Sequence, residues 1–248
     1  MLDAIKRWLT TEPLPTGWEE VAAWTKKQGL PFKTIKSSDG FVIEGHFSQR
    51  PWRLEWGPSQ RSYIGTQELR IRSELGLPAS MQMMLMSRTL METLERETFE
   101  RYTEGTQTQI DVSTPEEMRW LAMFPKAAPG FSRELRNLVG VVATDPQLGV
   151  QWADGLLSQR LDAVARALLR DQAPLLLMTL RGRLYLRFEL PDPRPAPVAA
   201  ALSLFDAGAQ AALHALEMQA EAQPGWQSTA STAWQTQLDP EDKPGGRS

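Results

Sequence analysis

Cysteine is absent from all 248 residues of the chain. That absence removes disulfides, thiolate nucleophiles, iron–sulfur clusters and most structural zinc sites, and it suits a reducing, cytoplasmic setting. Histidine is scarce, with only two in the chain. Neither His46 nor His214 has a second histidine at metal-ligand spacing, and H-E-x-x-H is missing, so no metal site is expected. Also missing are G-x-x-x-x-G-K-[ST] and G-x-G-x-x-G, which leaves no loop for a nucleotide cofactor. No G-x-S-x-G elbow occurs; Gly57-Pro58-Ser59 and Gly130-Phe131-Ser132 do not fit it. The reading therefore assigns no catalytic residue, no metal and no cofactor.

Long apolar runs are lacking too. Residues 1–8 hold no continuous stretch of signal-peptide length, and Ala173 to Leu180 is too short to cross a bilayer. A soluble protein without a transmembrane segment is expected. Nor is either sign of charge in large excess: the formal net charge is −3 and the isoelectric point ≈ 5.6. Nucleic-acid binding rests on neutralising phosphates with a basic surface, so no nucleic-acid partner is expected.

What is present is patterned apolar sequence, 42% of the chain, beside 23% charged residues. Leu2, Ile5, Trp8 and Leu9 recur at helical spacing, giving a short amphipathic helix over residues 2–10 that Pro13 and Pro15 end. Thr16 followed by Glu19 is a capping-box pattern, opening a helix through about Gln28 with Gly29 as its stop. After Pro31 the period falls to two. Phe41, Ile43 and Phe47 alternate with Val42, Glu44 and His46; Trp52, Leu54 and Trp56 alternate with Arg53 and Glu55; Leu69 and Ile71 alternate with Glu68, Arg70 and Arg72. These segments predict an antiparallel meander with one buried face. Met81 to Met86 reads as a further strand or as a buried helix start.

Residues 88–102 read as a helix with Leu90, Leu94 and Phe99 inward, and Thr106 to Val112 as a short strand. Thr114-Pro115-Glu116-Glu117 predicts a helix start with Thr as N-cap, Pro at N1 and Glu at N3. The acidic pairs Glu19-Glu20 and Glu116-Glu117 then serve the helix dipole. Beyond Gly130, Asn137 to Ala143 reads as a buried strand and Asp145-Pro146 as a capped helix start, with helix to about Arg170 interrupted near Gly155. Leu175 to Leu180 and Arg183 to Leu190, joined by Arg181-Gly182, form the clearest hairpin. A helix over Pro197 to Gln219 carries Leu202, Phe205, Ala209, Leu213 and Leu216 on one stripe. From Gln223 the composition predicts a disordered tail.

The expected architecture is thus α+β. An antiparallel sheet with flanking helices (16–129) follows an N-terminal helix and linker (1–15). A β-α-β-β-α unit ending in the long helix (130–222) comes next, then the tail (223–248).

Among candidate sites, the segment Arg50-Pro51-Trp52-Arg53-Leu54-Glu55-Trp56, continued by Arg61 and Tyr63, stands out. Trp52 and Trp56 share one strand face. One reading is an aromatic binding surface flanked by Arg50, Arg53, Arg61 and Tyr63. The other is that Trp52, Leu54 and Trp56 form the core side, with the charges as a cross-strand ladder, and Leu54 between the rings favours it. Trp226 and Trp234 in the polar tail are candidates for a motif that a protein partner reads. Lys6, Arg7 and Trp8 offer weak contact with a membrane surface.

The order strand, Asp145-Pro146, helix, Leu156-Leu157, helix, strand, Arg181-Gly182-Arg183-Leu184, strand, helix resembles a broad group of uncharacterised bacterial proteins. In these a G-x-[FY]-x-x-R-P-hydrophobic pattern precedes such a unit, and Gly45-His46-Phe47-Ser48-Gln49-Arg50-Pro51-Trp52 is similar to it. The resemblance spans about residues 40–217 and implies a bacterial protein, but no activity. The function expected is non-enzymatic, through protein binding or self-association along the last helix. The alternatives are an enzyme with dispersed Arg, Glu and Tyr residues between the halves, and a peripheral membrane adaptor using residues 1–10.

Overall fold

A computed structural model describes residues 18–35, 39–104, 114–169 and 173–222. The expected helix over 2–10, the strand over 106–112 and everything after residue 222 lie outside the described residues.

Helix α1 (Glu19–Lys27) leads into a four-stranded meander: β1 (Phe32–Ile35), β2 (Gly40–Phe47), β3 (Arg50–Pro58) and β4 (Gln67–Glu74). Then follow β5 (Met83–Ser87), α2 (Arg88–Glu104), α3 (Glu116–Met123), β6 (Lys126–Ala127) and α4 (Arg133–Leu138). Strand β7 (Val139–Ala143), α5 (Pro146–Ala153), α6 (Leu156–Leu168), β8 (Leu175–Leu180), β9 (Arg183–Glu189) and α7 (Pro195–Ala222) complete the order.

The architecture is α+β, and the strands of both halves belong to one nine-stranded sheet in the order β1-β2-β3-β4-β9-β8-β5-β7-β6. All its pairings are antiparallel. The last hairpin, β8–β9, is inserted between β4 and β5 and so forms the middle of the sheet. Arg181 (φ 51) and Gly182 (φ 81) make its two-residue turn. Positive φ at both positions matches the twist of the strands it joins.

The two faces of the sheet are covered unequally. One carries Phe41, Ile43, Leu54, Leu69, Ile71, Leu85, Leu177, Leu186 and Phe188, all buried, and packs in a single cluster with side chains from α1, α5, α6 and α7. On the other face, Met84, Met86, Val142, Leu176 and Met178 pack beneath Leu90, Met91 and Leu94 of α2 and Met118 and Trp120 of α3. That second cover extends over the β7–β5–β8 part of the sheet. The remaining part of this face, on β2, β3, β4 and β9, carries Glu44, Arg53, Glu55, Arg70, Arg72, Arg183 and Arg187 in place of an apolar layer.

Several local expectations are corrected by the packing. Helix α3 starts one residue later than the motif predicts, with Pro115 at the N-cap and no side-chain cap bond from Thr114. Asn137 belongs to α4, capped by Ser132 through its bond from the Leu135 amide, so β7 begins only at Val139. Phe99 is 68% exposed, while its neighbour Thr98 is buried and donates to the Leu94 carbonyl. Of the two readings of Met81 to Met86 the strand holds: Met83–Ser87 is a fully buried strand.

The inward stripe of α7 is also rotated from the expected one. Val198, Ala201, Leu204, Phe205, Ala209, Ala212 and Ala215 are buried, whereas Leu202, Leu213 and Leu216 pack only at the margin. Small residues let the helix approach the sheet closely. A Cβ added to Gly208 would lie 2.9 Å from Leu177 Cδ2, and the Trp152 indole donates to the Gly208 carbonyl at 3.0 Å. Among the described residues α7 alone is long and apolar enough to cross a membrane by length and composition, yet half of that stretch is buried inside the fold. A core helix passes the same test.

Candidate binding surface on the open sheet face

Alternation along β2, β3, β4 and β9 sends one residue in two away from the core. Pairing register then sets those residues in rows across the sheet. One row runs Glu44, Arg53, Arg72, Tyr185, and the next runs Val42, Glu55, Arg70, Arg187. Within these two rows two arginine pairs are therefore directly opposite, Arg53 with Arg72 and Arg70 with Arg187, and the adjoining row opposes Glu68 to Glu189. Such arginine pairs are destabilising unless a carboxylate intervenes.

Glu55 and Glu68 supply it. Glu55 accepts from Arg53 Nε at 2.6 Å and Arg70 Nη2 at 3.4 Å, with Arg72 Nη2 at 4.0 Å. Burial pushes the Glu55 carboxyl up, but the Arg53 hydrogen bond and the charges of Arg53, Arg70 and Arg72 outweigh it and hold the group below its ordinary value. Glu68 is fully buried and accepts from Arg187 Nη1 at 2.6 Å, Arg70 Nη1 at 3.3 Å and the Gln60 amide at 2.8 Å. At the outer edge, Glu44 bridges Lys33 (2.9 Å) and Arg53 (3.0 Å); the Lys33 hydrogen bond is the main cause of its lowered pKa.

Where this lattice meets α3, Glu117 is 1% exposed. Its Oε1 accepts from Arg61 Nε at 2.7 Å and from Tyr63 Oη at 2.9 Å. Burial, then the adjacent carboxylate charge, push the Tyr63 phenol well above its ordinary pKa. Glu117 Oε2 is buried without a hydrogen-bond partner among the described residues. The dipole role expected of Glu117 is thus secondary to a tertiary ion pair. Local spacing carries no signal for that pair, because 56 residues separate its members.

A shallow groove of about 540 Å³ crosses the end of the open face. Glu44, His46, Arg53, Arg72, Glu74 and Arg183 are among its lining residues. Arg183 is engaged by Glu74 at 2.7 Å and Arg53 by Glu44 and Glu55. Arg72 is the least committed, with its side chain 58% exposed.

The residues singled out from sequence fall into different environments. Trp52 (8% exposed) and Trp56 (5%) lie on the core side with Leu54 (0%). Trp56 stacks on Phe41, with ring centroids 5.4 Å apart, and donates to the Leu190 carbonyl at 2.8 Å. The strand displays arginine and glutamate outward in place of an aromatic surface. Arg53 belongs to the open face, Arg61 and Tyr63 to its margin with α3, and Arg50 donates to the Leu75 carbonyl at 2.8 Å. Trp226, Trp234 and residues 1–10 lie outside the described residues. His46 borders the groove, and His214 faces Glu217 at 3.8 Å on α7. No group of three His, Cys, Asp or Glu side chains is placed to hold a metal ion among the described residues. The contribution of β9 is the part sequence reading missed: Arg183 and Arg187 join the ladder because the last hairpin pairs with β4.

Comparison with protein-family profiles, with curated proteins and with solved structures gave no match for this chain.

Proposed function

We propose that the chain is a non-enzymatic binding protein whose open sheet face docks a protein partner carrying mixed, predominantly acidic charge. The observation that carries the proposal is the unequal cover of one sheet face. Helices α2 and α3 close its apolar part, while β2, β3, β4 and β9 carry a lattice of arginines and glutamates whose exposed arginines are Arg53, Arg72 and Arg183. The lattice is held in place by the buried carboxylates Glu68 and Glu117. Arginine in a fixed orientation is suited to carboxylate recognition, and the exposed Arg72 has its fork largely unspent.

The enzymatic alternative draws on Arg61, Tyr63 and Glu117, which share one cluster. Its tyrosine is held more firmly protonated than usual, the opposite of what a general base near neutrality requires. Self-association along the last helix has less to draw on, since the stripe of α7 is occupied within the chain.

The test compares proteins captured from host cells by tagged wild-type chain and by Arg53→Glu/Arg72→Glu. The expected result is loss of a specific partner from the variant, with circular dichroism unchanged and wild-type capture falling at high salt. An identical captured set for the two proteins would refute the docking role of this face.

A further inference from the structure

At the opposite edge of the sheet, β6 is only two residues long and pairs with Val141 and Val142 of β7. Among the described residues the first half of β7 therefore has no strand neighbour on that side. A pocket of about 340 Å³ occupies the place a longer β6 would fill. Its volume lies at the small end of the roughly 300–1,000 Å³ typical of small-molecule sites. Met91, Phe131, Val139 and Val141 give it apolar walls, and Arg88, Lys126 and Arg136 bring cationic groups. Among the described residues no acidic side chain lines it.

Arg88 acts as a substitute strand partner. Its Nη2 donates to the Val139 carbonyl and to the Arg136 carbonyl, both at 2.9 Å. Gly140 makes room for this arrangement: an added Cβ would lie 2.6 Å from Met91 Cε and 3.2 Å from Arg88 Nη1. Every arginine of the charged rows on the open face has a carboxylate within 4.0 Å. No salt bridge joins Arg88 or Arg136 to a carboxylate among the described residues, and Lys126 has Glu95 at 2.7 Å. In a chain of net charge −3, the pocket thus concentrates uncompensated positive charge beside apolar walls.

We propose that this pocket binds a small single-chain anionic amphiphile, with its carboxylate or phosphate group at Arg88 and Arg136 and its apolar body against Met91, Phe131 and Val139. Arg88 Nη1 meets only the Met91 sulfur, at 3.8 Å, and Nε makes no hydrogen bond among the described residues, so Nε is the donor left for an anionic head. The apolar body gains from leaving water in proportion to the area covered. The site is independent of the open face, so either can fail without the other.

The probes are decanoate and decyl phosphate, each below its micelle concentration, with decanol as the uncharged control. The full chain carries ¹³C-labelled methionine ε-methyl groups. The expected result is a saturable shift of the Met91 methyl by one or both anions and at least tenfold weaker binding of decanol. The more tightly bound anion identifies the head group. Replacement of Arg88 would disturb the two carbonyls it holds, so the exposed Arg136→Glu and Lys126→Glu carry the test. The double variant weakens binding at least tenfold, whereas Arg72→Glu on the other face leaves it unchanged. No shift at Met91 with either anion, equal binding of decanol, or unchanged affinity in the double variant would overturn the proposal.

Discussion

Replacing Glu68 by glutamine tests the central physical claim about the open face, that one buried carboxylate reconciles two opposed arginines. Glu68 is 0% exposed, and the side chains of Arg70 and Arg187 are 15% and 16% exposed. The substitution keeps size and shape but removes the negative charge, leaving two cations directly opposite on β4 and β9. Breaking a buried ion pair by neutralising one partner costs about 3–5 kcal/mol. Residual solvent around both guanidinium groups, with Glu55 still within 3.4 Å of Arg70, places the expected loss near the lower end, about 3 kcal/mol. In a chain of this size each kcal/mol lowers Tm by roughly 2–4 °C, so the fall should be about 6–12 °C. Urea denaturation and calorimetry both measure it. Adding Arg187→Met to Glu68→Gln should recover part of the loss, because the opposed cation is gone. A loss below about 1 kcal/mol, or strictly additive effects of the two substitutions, would refute the assignment of Glu68 as the neutralising group.

The remaining predictions follow from the same packing. Glu55 has a folded pKa lowered from 4.5; a lowered carboxylate stabilises fully above its unfolded value and loses that contribution as pH falls through the folded one. Glu55→Gln should therefore flatten the acid side of the stability profile below about pH 4.5, and an unchanged acid slope would count against the ion-pair account. Tyr63 is raised above 10.0, so its contribution holds below that pH and is lost as the pH rises through the folded value. Ultraviolet titration should show one of the three tyrosines ionising only with unfolding, and Tyr63→Phe should cost about 1.5–3 kcal/mol through the lost bond to Glu117. Gly208→Val should lower stability by about 1–3 kcal/mol through overpacking against Leu177, 2.9 Å from the added Cβ; a neutral result in denaturant would show that α7 is not closely seated.

The short-range rules read most of the elements correctly, for reasons visible at particular residues. Asp145 accepts from the Gln147 amide and Pro146 opens the helix, as the dipeptide alone predicts. Gly155, at φ 70, breaks the helical run where expected, and the Arg181-Gly182 turn has the dihedral angles its hairpin demands. Tertiary demand overrode local preference elsewhere. Thr114 does not cap α3, and Phe99, which periodicity turns inward, lies outward. The small residues of α7 displaced Leu202, Leu213 and Leu216 to the margin because close approach favours Ala and Gly there.

Period-two alternation by itself determined that Trp52, Leu54 and Trp56 share a face opposite Arg53 and Glu55. Composition by itself determined that chemistry based on thiols has no residue to use. Which face is core, and what joins the charges, were decided only by tertiary structure. Arg187 comes within 2.6 Å of Glu68 across 119 residues of chain because β9 enters the sheet beside β4. Arg61 reaches Glu117 across 56 residues because α3 ends the apolar cover at that margin. A residue's own neighbours set its alternation and its backbone angles, whereas its charge partners depend on strand order, a property of the whole chain.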